Sequence, residues 1–383
     1  MWLLDPDVIQ LNHGSFGATP WPVLEEQDRW RRLQEANPTG FVMATLEPAL
    51  DHARARLCAE VGADPADLVF VINATMGVNT VVRSLPFEPG DELLTINHAY
   101  NACRNALEYA AARSGASVVI AEAPFPLVSP EQVVESLFSA VTSRTRFVLI
   151  DHVTSPSGLV LPLDDIVRPL EARGITVMVD GAHGPGMLPL DLDRLGASYY
   201  TGNNHKWLCS PKGSGFLWAR SGLGEKLVPP VISHGWNDPR TDRPRFHVLF
   251  DYMGADDPSP HLAVPAAIDF LNSLHPDGML GTMAANRSLA LAARDLLCEF
   301  LGVEHPAPDS MIGSLAAVPL PDATEKGTGM LDPLGPRLLE KHRIQVPVFS
   351  WPEWPRRNVR ISAAPYNDLD QYRSLIAALE AEI

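Results

Sequence analysis

Cysteine is scarce in this sequence, and its placement excludes two common roles. Only four cysteines occur among 383 residues, and they are widely scattered: Cys58, Cys103, Cys209 and Cys298. Zinc sites and small disulfide-linked domains need cysteines at short, paired spacings, and no such pairing is present. The sequence therefore predicts neither a disulfide framework nor a metal site.

Positive charge is also in short supply. The chain has 30 lysines and arginines against 46 aspartates and glutamates, which gives a formal net charge of −16. A field of this sign repels phosphate backbones and anionic lipid, so we expect no nucleic-acid partner and no membrane partner. The same field repels an anionic cofactor or a carboxylate substrate. Any ligand of that kind must be held by a local cluster of hydrogen-bond donors and cations.

Long apolar runs are missing as well, and none approaches the roughly 20 residues that a membrane span requires. The opening residues, Met-Trp-Leu-Leu-Asp-Pro-Asp, lack the basic segment and the apolar core of a signal peptide. We therefore expect a cytoplasmic protein. Apolar residues still make up 46% of the chain, which is ample material for buried sheets.

The central part of the chain predicts an α/β fold. Short β-branched runs alternate there with longer amphipathic segments, a pattern typical of a mostly parallel sheet flanked by helices. Several of the runs are continuously apolar, as expected of strands covered on both faces. We predict seven strands, at Leu68–Ile72, Glu92–Ile96, Ser117–Ala121, Arg146–Asp151, Thr176–Asp180, Ser198–Thr201 and Gly215–Ala219.

The chain changes character after Ser221. Residues 222–260 are rich in proline, glycine and aspartate, which predicts irregular structure. Helical patterns at 262–274, 284–301 and 331–342, and from about 367 onward, alternate with strands at 314–319, 345–349 and 358–362. This indicates a smaller α+β domain. The predicted division is an N-terminal arm and helix (1–37), a large α/β domain (38–258) and a small C-terminal domain (259–383).

The first chemical signal is a lysine on a tight turn. The sequence Thr-Gly-Asn-Asn-His-Lys-Trp places Lys206 directly after a predicted strand. A lysine in a partly apolar turn can have a lowered pKa and can form imines. A surface lysine on a polar turn would give the same local pattern, so the turn alone leaves both interpretations open.

A second signal is Asp180, which ends a predicted strand and is followed closely by His183. Ligands of open α/β sheets bind at the carboxyl ends of the strands. An ionised carboxylate at that edge can keep a pyridinium nitrogen protonated. The alternatives are a turn or helix-cap role for Asp180 and a purely structural hydrogen bond for His183.

A third signal is the segment Asn-Ala-Thr-Met-Gly-Val-Asn at positions 73–79, which follows a predicted strand and begins a helical pattern. Free N–H groups at a helix N-terminus, together with a threonine hydroxyl, can bind an anion. The glycine spacing of a dinucleotide-binding loop is missing, so dinucleotide binding is not supported. An ordinary capped helix is the alternative.

Together these motifs resemble the pyridoxal 5′-phosphate (PLP) enzymes of fold type I, in particular the aminotransferase class V family and its isopenicillin N epimerase-like branch. The segments that carry the resemblance span nearly the whole chain: 11–17, 151–158, 179–183, 205–206 and 360–367. The resemblance implies a PLP cofactor, an amino-acid substrate, a homodimer, and a large domain with a mostly parallel seven-stranded sheet next to a smaller α+β domain.

The resemblance also implies catalytic roles. Lys206 would hold PLP as an imine and then take the substrate α-proton, while Asp180 would keep the ring nitrogen protonated. Ser155 and His183 would lie near the phenolic oxygen, at positions where cysteine desulfurases have Asn and Gln.

Other residues would hold the rest of the cofactor. An aromatic or imidazole ring would stack on the pyridine and could pass a proton; His98 and Tyr100 are both candidates, and we favour Tyr100. The 5′-phosphate would be bound by Ala74, Thr75, Met76, Asn203 and His205.

Arg360 would bind the substrate carboxylate, because a guanidinium suits two parallel hydrogen bonds to a carboxylate. Further candidates for substrate contacts are Asn12, His13 and His234.

Two departures from the family pattern bear on the reaction. Cysteine desulfurases of the family need a nucleophilic cysteine in the C-terminal domain, and no cysteine follows Cys298, which argues against sulfur transfer through a persulfide. Ala255 stands where many relatives have a threonine that reaches the neighbouring subunit's phosphate.

These features lead us to expect chemistry through an external aldimine and a quinonoid, ending in β-elimination at a C–S bond or in epimerisation. An aminotransferase or a decarboxylating enzyme is the alternative. A non-catalytic PLP-binding relative is disfavoured because Lys206, Asp180 and Arg360 are all retained.

Overall fold

The central sheet of the computed structural model contains the seven strands expected from the sequence. The structure describes residues 1–329 and 331–383. Within the central sheet the order is β2-β8-β7-β6-β5-β3-β4, and β8 runs in the direction opposite to that of the other six strands. The predicted mostly parallel sheet is confirmed. The strands of the chain are β1 (Ile9–Gln10), β2 (Leu68–Val71), β3 (Glu92–Ile96), β4 (Ser117–Ala121), β5 (Thr145–Asp151), β6 (Thr176–Gly181), β7 (Tyr199–Asn203), β8 (Gly215–Ala219), β9 (Leu315–Leu320), β10 (Ile344–Gln345), β11 (Val348–Phe349) and β12 (Arg357–Ser362).

Helices cover both faces of the central sheet. The helices of the described residues, including those of the C-terminal part, are α1 (His13–Phe16), α2 (Trp21–Ala36), α3 (Pro38–Gly40), α4 (Leu46–Val61), α5 (Ala74–Ser84), α6 (Asn101–Ser114), α7 (Glu131–Ser139), α8 (Leu163–Glu171), α9 (Leu192–Leu195), α10 (Arg245–Phe250), α11 (Ser259–Leu262), α12 (Val264–Ser273), α13 (Gly278–Leu301), α14 (Leu334–His342) and α15 (Leu369–Glu382). A π-helical turn spans Phe41–Thr45, and 3₁₀ turns lie at Pro65–Asp67, Gly224–Lys226, His234–Asn237 and Asp309–Met311.

The two-sided cover explains the apolar runs in the sequence. Phe147 and Leu149 of β5 belong to a core shared with α5 and α6, while Val148 and Ile150 belong to a second core shared with α7 and α8. Because alternate residues of a strand point to opposite faces, a strand buried on both faces must be apolar at every position.

The carboxyl ends of the parallel strands meet at one edge of the sheet. Asp151 ends β5, Asp180 lies at the end of β6, and Lys206 follows β7 by three residues. The N-terminus of α5 comes to the same edge, because α5 begins directly after β2, which is parallel to β7. This is the edge at which open α/β sheets bind ligands.

The C-terminal part forms a second, smaller sheet of antiparallel strands in the order β11-β12-β9, with α13 and α15 packed beside it. Arg360 lies on the middle strand of this sheet. The N-terminal arm joins the C-terminal part through β1, which pairs in parallel with β10. The arm therefore links the first residues of the chain to residues near position 345.

Two sequence expectations differ in detail from the structure. The segment 222–260 contains the short helix α10, whose Phe246, Leu249 and Phe250 are buried in the core. Its apolar positions are too few to show a helical period against the surrounding prolines and aspartates. The helix expected at 262–274 is α12, which begins at Val264 with Pro265 in its first turn, and the short helix α11 precedes it. In the described ranges 1–329 and 331–383, no helix has both the length and the apolar composition needed to cross a bilayer.

Candidate active site

A cavity of about 220 Å³ lies at the carboxyl edge of the central sheet, and we call it the strand-end cavity. Its lining brings together nine of the residues singled out from the sequence: Ala74, Thr75, Tyr100, Ser155, Asp180, His183, Asn203, His205 and Lys206. The remaining walls are formed by Ser15, Phe16, Asn73, Asp151, Val153 and Ala182.

Lys206 reaches the strand-end cavity from a turn that two separate parts of the chain hold in place. The backbone N–H groups of Asn204 and His205 both donate to the carbonyl oxygen of Ser214. Gly17 packs against the other side, where a Cβ atom would lie 2.1 Å from the carbonyl oxygen of His205. With a φ of +70°, position 17 therefore requires glycine for both its conformation and its lack of a side chain.

The Lys206 amine is poised to lose its proton near neutral pH. Burial lowers the pKa of Lys206 to about 8, with the Asp180 carboxylate opposing this shift and the Arg360 guanidinium adding to it. The amine nitrogen lies 3.2 Å from Nε2 of His183. A neutral amine is the nucleophilic form that makes imines, so the site prepares this lysine for that chemistry.

His183 lies between Lys206 and Trp207. The indole N–H of Trp207 donates to Nδ1 of His183 over 3.1 Å. Burial lowers the pKa of His183 well below its usual value, and the cations Lys206 and Arg360 lower it further. The ring is therefore neutral at physiological pH.

Asp180 is buried at the end of β6 and accepts two hydrogen bonds. The backbone N–H of Ala182 donates to one carboxylate oxygen, and the thiol of Cys103 donates to the other, each over 3.0 Å. Burial and the Asp180 charge raise the pKa of Cys103 well above its usual value, so Cys103 stays a neutral thiol. A buried carboxylate with neutral donors can accept a charged partner from the cavity.

Asp151 is a second acid in the strand-end cavity, and sequence reasoning missed it as a site residue. It is the register partner of Asp180 on the neighbouring strand, so the two side chains share one face of the sheet. Burial and the nearby Asp180 charge raise the pKa of Asp151 well above its usual value, which keeps it protonated. Its Oδ1 has no hydrogen-bond partner in the described part of the chain. The sequence feature that could have identified Asp151 is an acid at the end of the predicted strand that precedes the strand of Asp180.

At the predicted phosphate end, two of the three backbone N–H groups already have acceptors within the chain. The N–H of Met76 already donates to the side chain of Asn73, which caps α5, over 2.9 Å. The N–H of Ala74 donates to the side-chain oxygen of Asn203 over 2.8 Å. Thr75 differs from these two residues. Within residues 1–329 and 331–383, neither its N–H nor its hydroxyl donates to an acceptor. Thr75 is therefore the free anion donor at this helix N-terminus.

His205 faces the same end of the cavity. Its Nδ1–H donates to the carbonyl oxygen of Ser214 over 2.7 Å, which leaves Nε2 on the other side of the ring. Burial lowers the pKa of His205 to about 4. An approaching phosphate would favour the protonated ring, because an opposite charge stabilises the charged form.

The side chains of His98 and Tyr100, the two candidates for stacking on the cofactor ring, lie in different places. Tyr100 lines the strand-end cavity and is 45% exposed. His98 is 1% exposed and lies outside it: its Nδ1 is 2.7 Å from the Ser157 hydroxyl, and its Nε2 donates to the carbonyl oxygen of Ala123. His98 is thus a core histidine, held by these two bonds and by edge contact with Trp351. The cofactor role suggested for His98 is not supported.

Arg360 is a buried cation with neutral partners. Its guanidinium donates to the carbonyl oxygen of Ser155 (2.6 Å), the hydroxyl of Ser15 (2.9 Å) and the amide oxygen of Asn12 (3.3 Å). Both serines line the strand-end cavity, and in the part of the chain that is described no carboxylate pairs with Arg360. Burial lowers the pKa of Arg360 to about 10. An anionic ligand would relieve this cost.

The other three substrate candidates lie elsewhere. Asn12 and His13 line a neighbouring cavity of about 590 Å³ beside the N-terminal arm, and Phe16 borders both cavities. His13 supports the lysine turn instead, because its Nε2 donates to the carbonyl oxygen of Lys206 over 3.1 Å. His234 is exposed in a 3₁₀ turn near Tyr252 and does not line the strand-end cavity. A substrate contact by His234 within one chain is therefore not supported.

The residues of the strand-end cavity fit PLP. An amine suited to imine formation, a buried carboxylate, a free helix N-terminal donor and a partly exposed tyrosine ring all border one space. These groups match the aldehyde, the ring nitrogen, the phosphate and the ring face of that cofactor.

Comparison with known proteins also indicates a PLP enzyme. A family model described as aminotransferase class-V matches residues 20–242. The chain belongs to the aminotransferase class-V family. Membership confirms the predicted cofactor, PLP, and confirms that the chain is an enzyme.

Individual relatives extend the likeness over nearly the whole chain. Isopenicillin N epimerase of Amycolatopsis lactamdurans is 36% identical over 98% of this chain and 96% of its own. An L-cysteine desulfhydrase of Arabidopsis thaliana is 27% identical over 89% of this chain and 78% of its own. A cysteine desulfurase structure from Escherichia coli superposes with a TM-score of 0.79 at 22% identity, covering 99% of this chain and 95% of that one, and confirms the fold.

Proposed function

We propose that this class V enzyme is a PLP-dependent C–S lyase that acts on cysteine or on an S-substituted cysteine. The observation that carries the proposal is the pair formed by the Lys206 amine and the His183 ring, 3.2 Å apart in the strand-end cavity. The pair offers a base for the α-proton and a second proton-bearing group beside it. The L-cysteine desulfhydrase among the relatives supports a sulfur leaving group.

The chain's own residues divide the work of the reaction. Arg360 orients the substrate through its carboxylate, and the Lys206 amine takes the proton from the α-carbon. Bound PLP supplies an electron sink for the electron pair left on that carbon, and Asp180 holds the ring-nitrogen proton. The C–S bond then breaks with its electrons on sulfur, and the departing thiolate takes a proton. The Nε2–H of His183, which lies beside the Lys206 amine, donates this proton. With one water consumed, the products are pyruvate, ammonia and a thiol.

The cysteines of this chain favour release of the sulfur over its transfer to the protein. All four are buried, and none of them lines the strand-end cavity. Cys103 comes nearest, through its bond to Asp180, but its raised pKa keeps it in the unreactive thiol form. A persulfide route would need an accessible thiolate.

Epimerisation is the second candidate, and the Amycolatopsis epimerase favours it. It requires the α-proton to return on the opposite face of the α-carbon, so a second proton carrier is needed. Tyr100 lines the strand-end cavity, and burial raises the pKa of Tyr100, so its hydroxyl retains a proton to deliver.

The products distinguish these reactions. Incubation of the holoenzyme with L-cysteine and with S-alkyl cysteines should yield pyruvate and thiol in equal amounts, while L-alanine, which has no leaving group, should yield no pyruvate. Chiral chromatography of the recovered amino acid reports inversion, and keto acid with an intact C–S bond reports transamination. Inverted substrate with no thiol released would reject the lyase in favour of the epimerase.

Replacement of Arg360 by alanine should raise the apparent KM for the amino-acid substrate by roughly 30- to 150-fold. A charge-assisted hydrogen-bonded pair in a buried site contributes about 2–3 kcal/mol, and a single ammonium recovers only part of it. Arg360→Lys should therefore be intermediate. The matched probe is the amine with the same side chain and no carboxylate, which should bind the wild type poorly and lose little more in the variant. Equal losses for acid and amine would show that Arg360 does not bind the carboxylate.

We further propose that the active unit is a homodimer with both sites near the interface. Apolar side chains are exposed beside the strand-end cavity at Phe16 and Ile72, and again at Ile232 and Trp236 in the 222–260 segment. Large apolar side chains exposed near a site favour an interaction surface there. Ala255, exposed in the same segment, has no hydroxyl, so any contact it makes with a partner's phosphate must use its backbone N–H. Sedimentation of a fully active monomer at assay concentration would reject this arrangement.

A further inference from the structure

Trp207 is a buried residue beside the candidate lysine. Its side chain is 2% exposed, and its indole N–H lies 3.1 Å from Nδ1 of His183. The opposite nitrogen of the same histidine, Nε2, lies 3.2 Å from the Lys206 amine. The ring of His13 packs against the indole with centroids 4.8 Å apart, which holds the indole in place. A chain of two hydrogen bonds therefore connects Trp207 to Lys206 through His183.

The chemistry of the three groups fixes the direction of this chain. An indole nitrogen can only donate, so Nδ1 of His183 must supply a lone pair and carry no proton. A neutral imidazole then has its proton on Nε2. That N–H points at the lysine nitrogen, which can accept it only as a neutral amine, because an ammonium group has three donors and no lone pair.

We propose that Trp207 is a positioning residue, which keeps the His183 proton on Nε2 and thereby favours the neutral, reactive form of the Lys206 amine. The proposal depends on Lys206 being the cofactor lysine, as in the proposed function. It does not depend on which substrate is used or on which bond is broken.

Other groups also act on Lys206, and they stay unchanged when Trp207 is altered. The acids Asp180 and Asp151 and the thiol of Cys103 favour the charged amine, while burial and Arg360 favour the neutral one. The low pKa of His183 agrees with a ring that donates from Nε2 without becoming a cation. Among the described residues, only the hydrogen bond from His183 requires a lone pair on the lysine nitrogen, and that lone pair exists only in the neutral amine.

The Trp207→Phe variant keeps an aromatic ring in the same place and removes the N–H. Nδ1 then has no fixed donor, the histidine proton can move to it, and Nε2 becomes free to accept from a charged lysine. The pKa of Lys206 should rise by about one unit, so the neutral fraction below that pKa should fall about tenfold.

The readout uses apoprotein and PLP. The rate of covalent capture of PLP is followed by absorbance as a function of pH, and its midpoint reports the Lys206 pKa. The profile of Trp207→Phe should shift upward by about one unit and meet the wild-type rate at high pH. The matched control is Trp218→Phe, which alters an equally buried indole on β8 in the hydrophobic core. Its profile should coincide with that of the wild type.

A second measurement needs no variant of Trp207. Nitrogen-15 NMR of histidine-labelled wild-type apoprotein, with the His183 signals assigned through His183→Gln, reports which ring nitrogen carries the proton. Protonated Nε2 and unprotonated Nδ1 are expected. A proton on Nδ1, or an unshifted capture profile in Trp207→Phe, would overturn the proposal. Both readouts are independent of turnover, so a failure of the lyase assay leaves this test intact.

Discussion

Replacement of Lys206 by alanine is expected to abolish covalent capture of PLP and to lower turnover by roughly three orders of magnitude or more. In the proposed function this residue supplies both the amine that binds the cofactor and the base that takes the α-proton, and a positioned base alone contributes on the order of 10²- to 10⁴-fold. The absorbance of the bound cofactor, and borohydride reduction followed by peptide mapping, measure the first effect directly.

Lys212 provides the matched control for this experiment. It follows Lys206 by six residues, but it lines the neighbouring 590 Å³ cavity, where its amine lies 3.3 Å from the Thr19 hydroxyl. Lys212→Ala should retain both the chromophore and the activity. A reducible link between PLP and the Lys206→Ala protein would mean that another lysine holds the cofactor.

Asp180→Asn is expected to cost about 10³-fold in turnover while PLP stays bound. The amide oxygen can still accept from the N–H of Ala182, while the amide NH2 faces the sulfur of Cys103, which is a weak acceptor, so the packing at the end of β6 is kept. A neutral amide cannot hold the ring nitrogen in its protonated form, and a loss of three orders of magnitude corresponds to about 4 kcal/mol in the barrier. Turnover, with cofactor content measured in parallel, tests this expectation.

The neighbouring acid is the matched control. Asp151 is the register partner of Asp180, and its raised pKa keeps it protonated. Asp151→Asn exchanges one neutral group for another of similar shape, so turnover should stay within about tenfold of wild type. If the two variants lose activity equally, the charge of Asp180 is not what supports the reaction.

The seven strands and the lysine–aspartate pair could be predicted because both depend on local sequence. A strand buried on both faces is apolar at nearly every position, and several of the seven runs show this pattern in the linear chain. Lys206 and Asp180 directly follow or end such runs, and strand ends of a parallel sheet converge on one edge.

The details that sequence reasoning missed depend on contacts between distant positions. His98 and Tyr100 follow the same strand, and only the bonds from His98 to Ser157 and Ala123 decide that the histidine turns inward. The Ala74 N–H is taken by Asn203, which lies 129 positions away in the sequence. No local pattern carries that information.

Asp151 was missed for a different reason. It lies in one of the segments that carry the family resemblance, but an acid at a strand end can be ionised or neutral. Burial, together with the Asp180 charge on the next strand, raises the pKa of Asp151 and keeps its proton in place. The role of Trp207 was also missed, because in the sequence it looks like any other apolar residue. Its part at the site follows only from the orientation of the His183 ring.

The pairing of β1 with β10 has a consequence for the order in which this protein can be assembled. The segment that carries Gly17 packs against the lysine turn, yet the strand just before it has its partner at Ile344–Gln345, near the far end of the chain. During synthesis Lys206 emerges long before that partner does. Until residues 344–345 have been made, the arm that carries Gly17 lacks the strand pairing that anchors it beside the lysine turn. The lysine turn is therefore completed late, after both of these segments have folded together. The ability to hold the cofactor firmly depends on that late step.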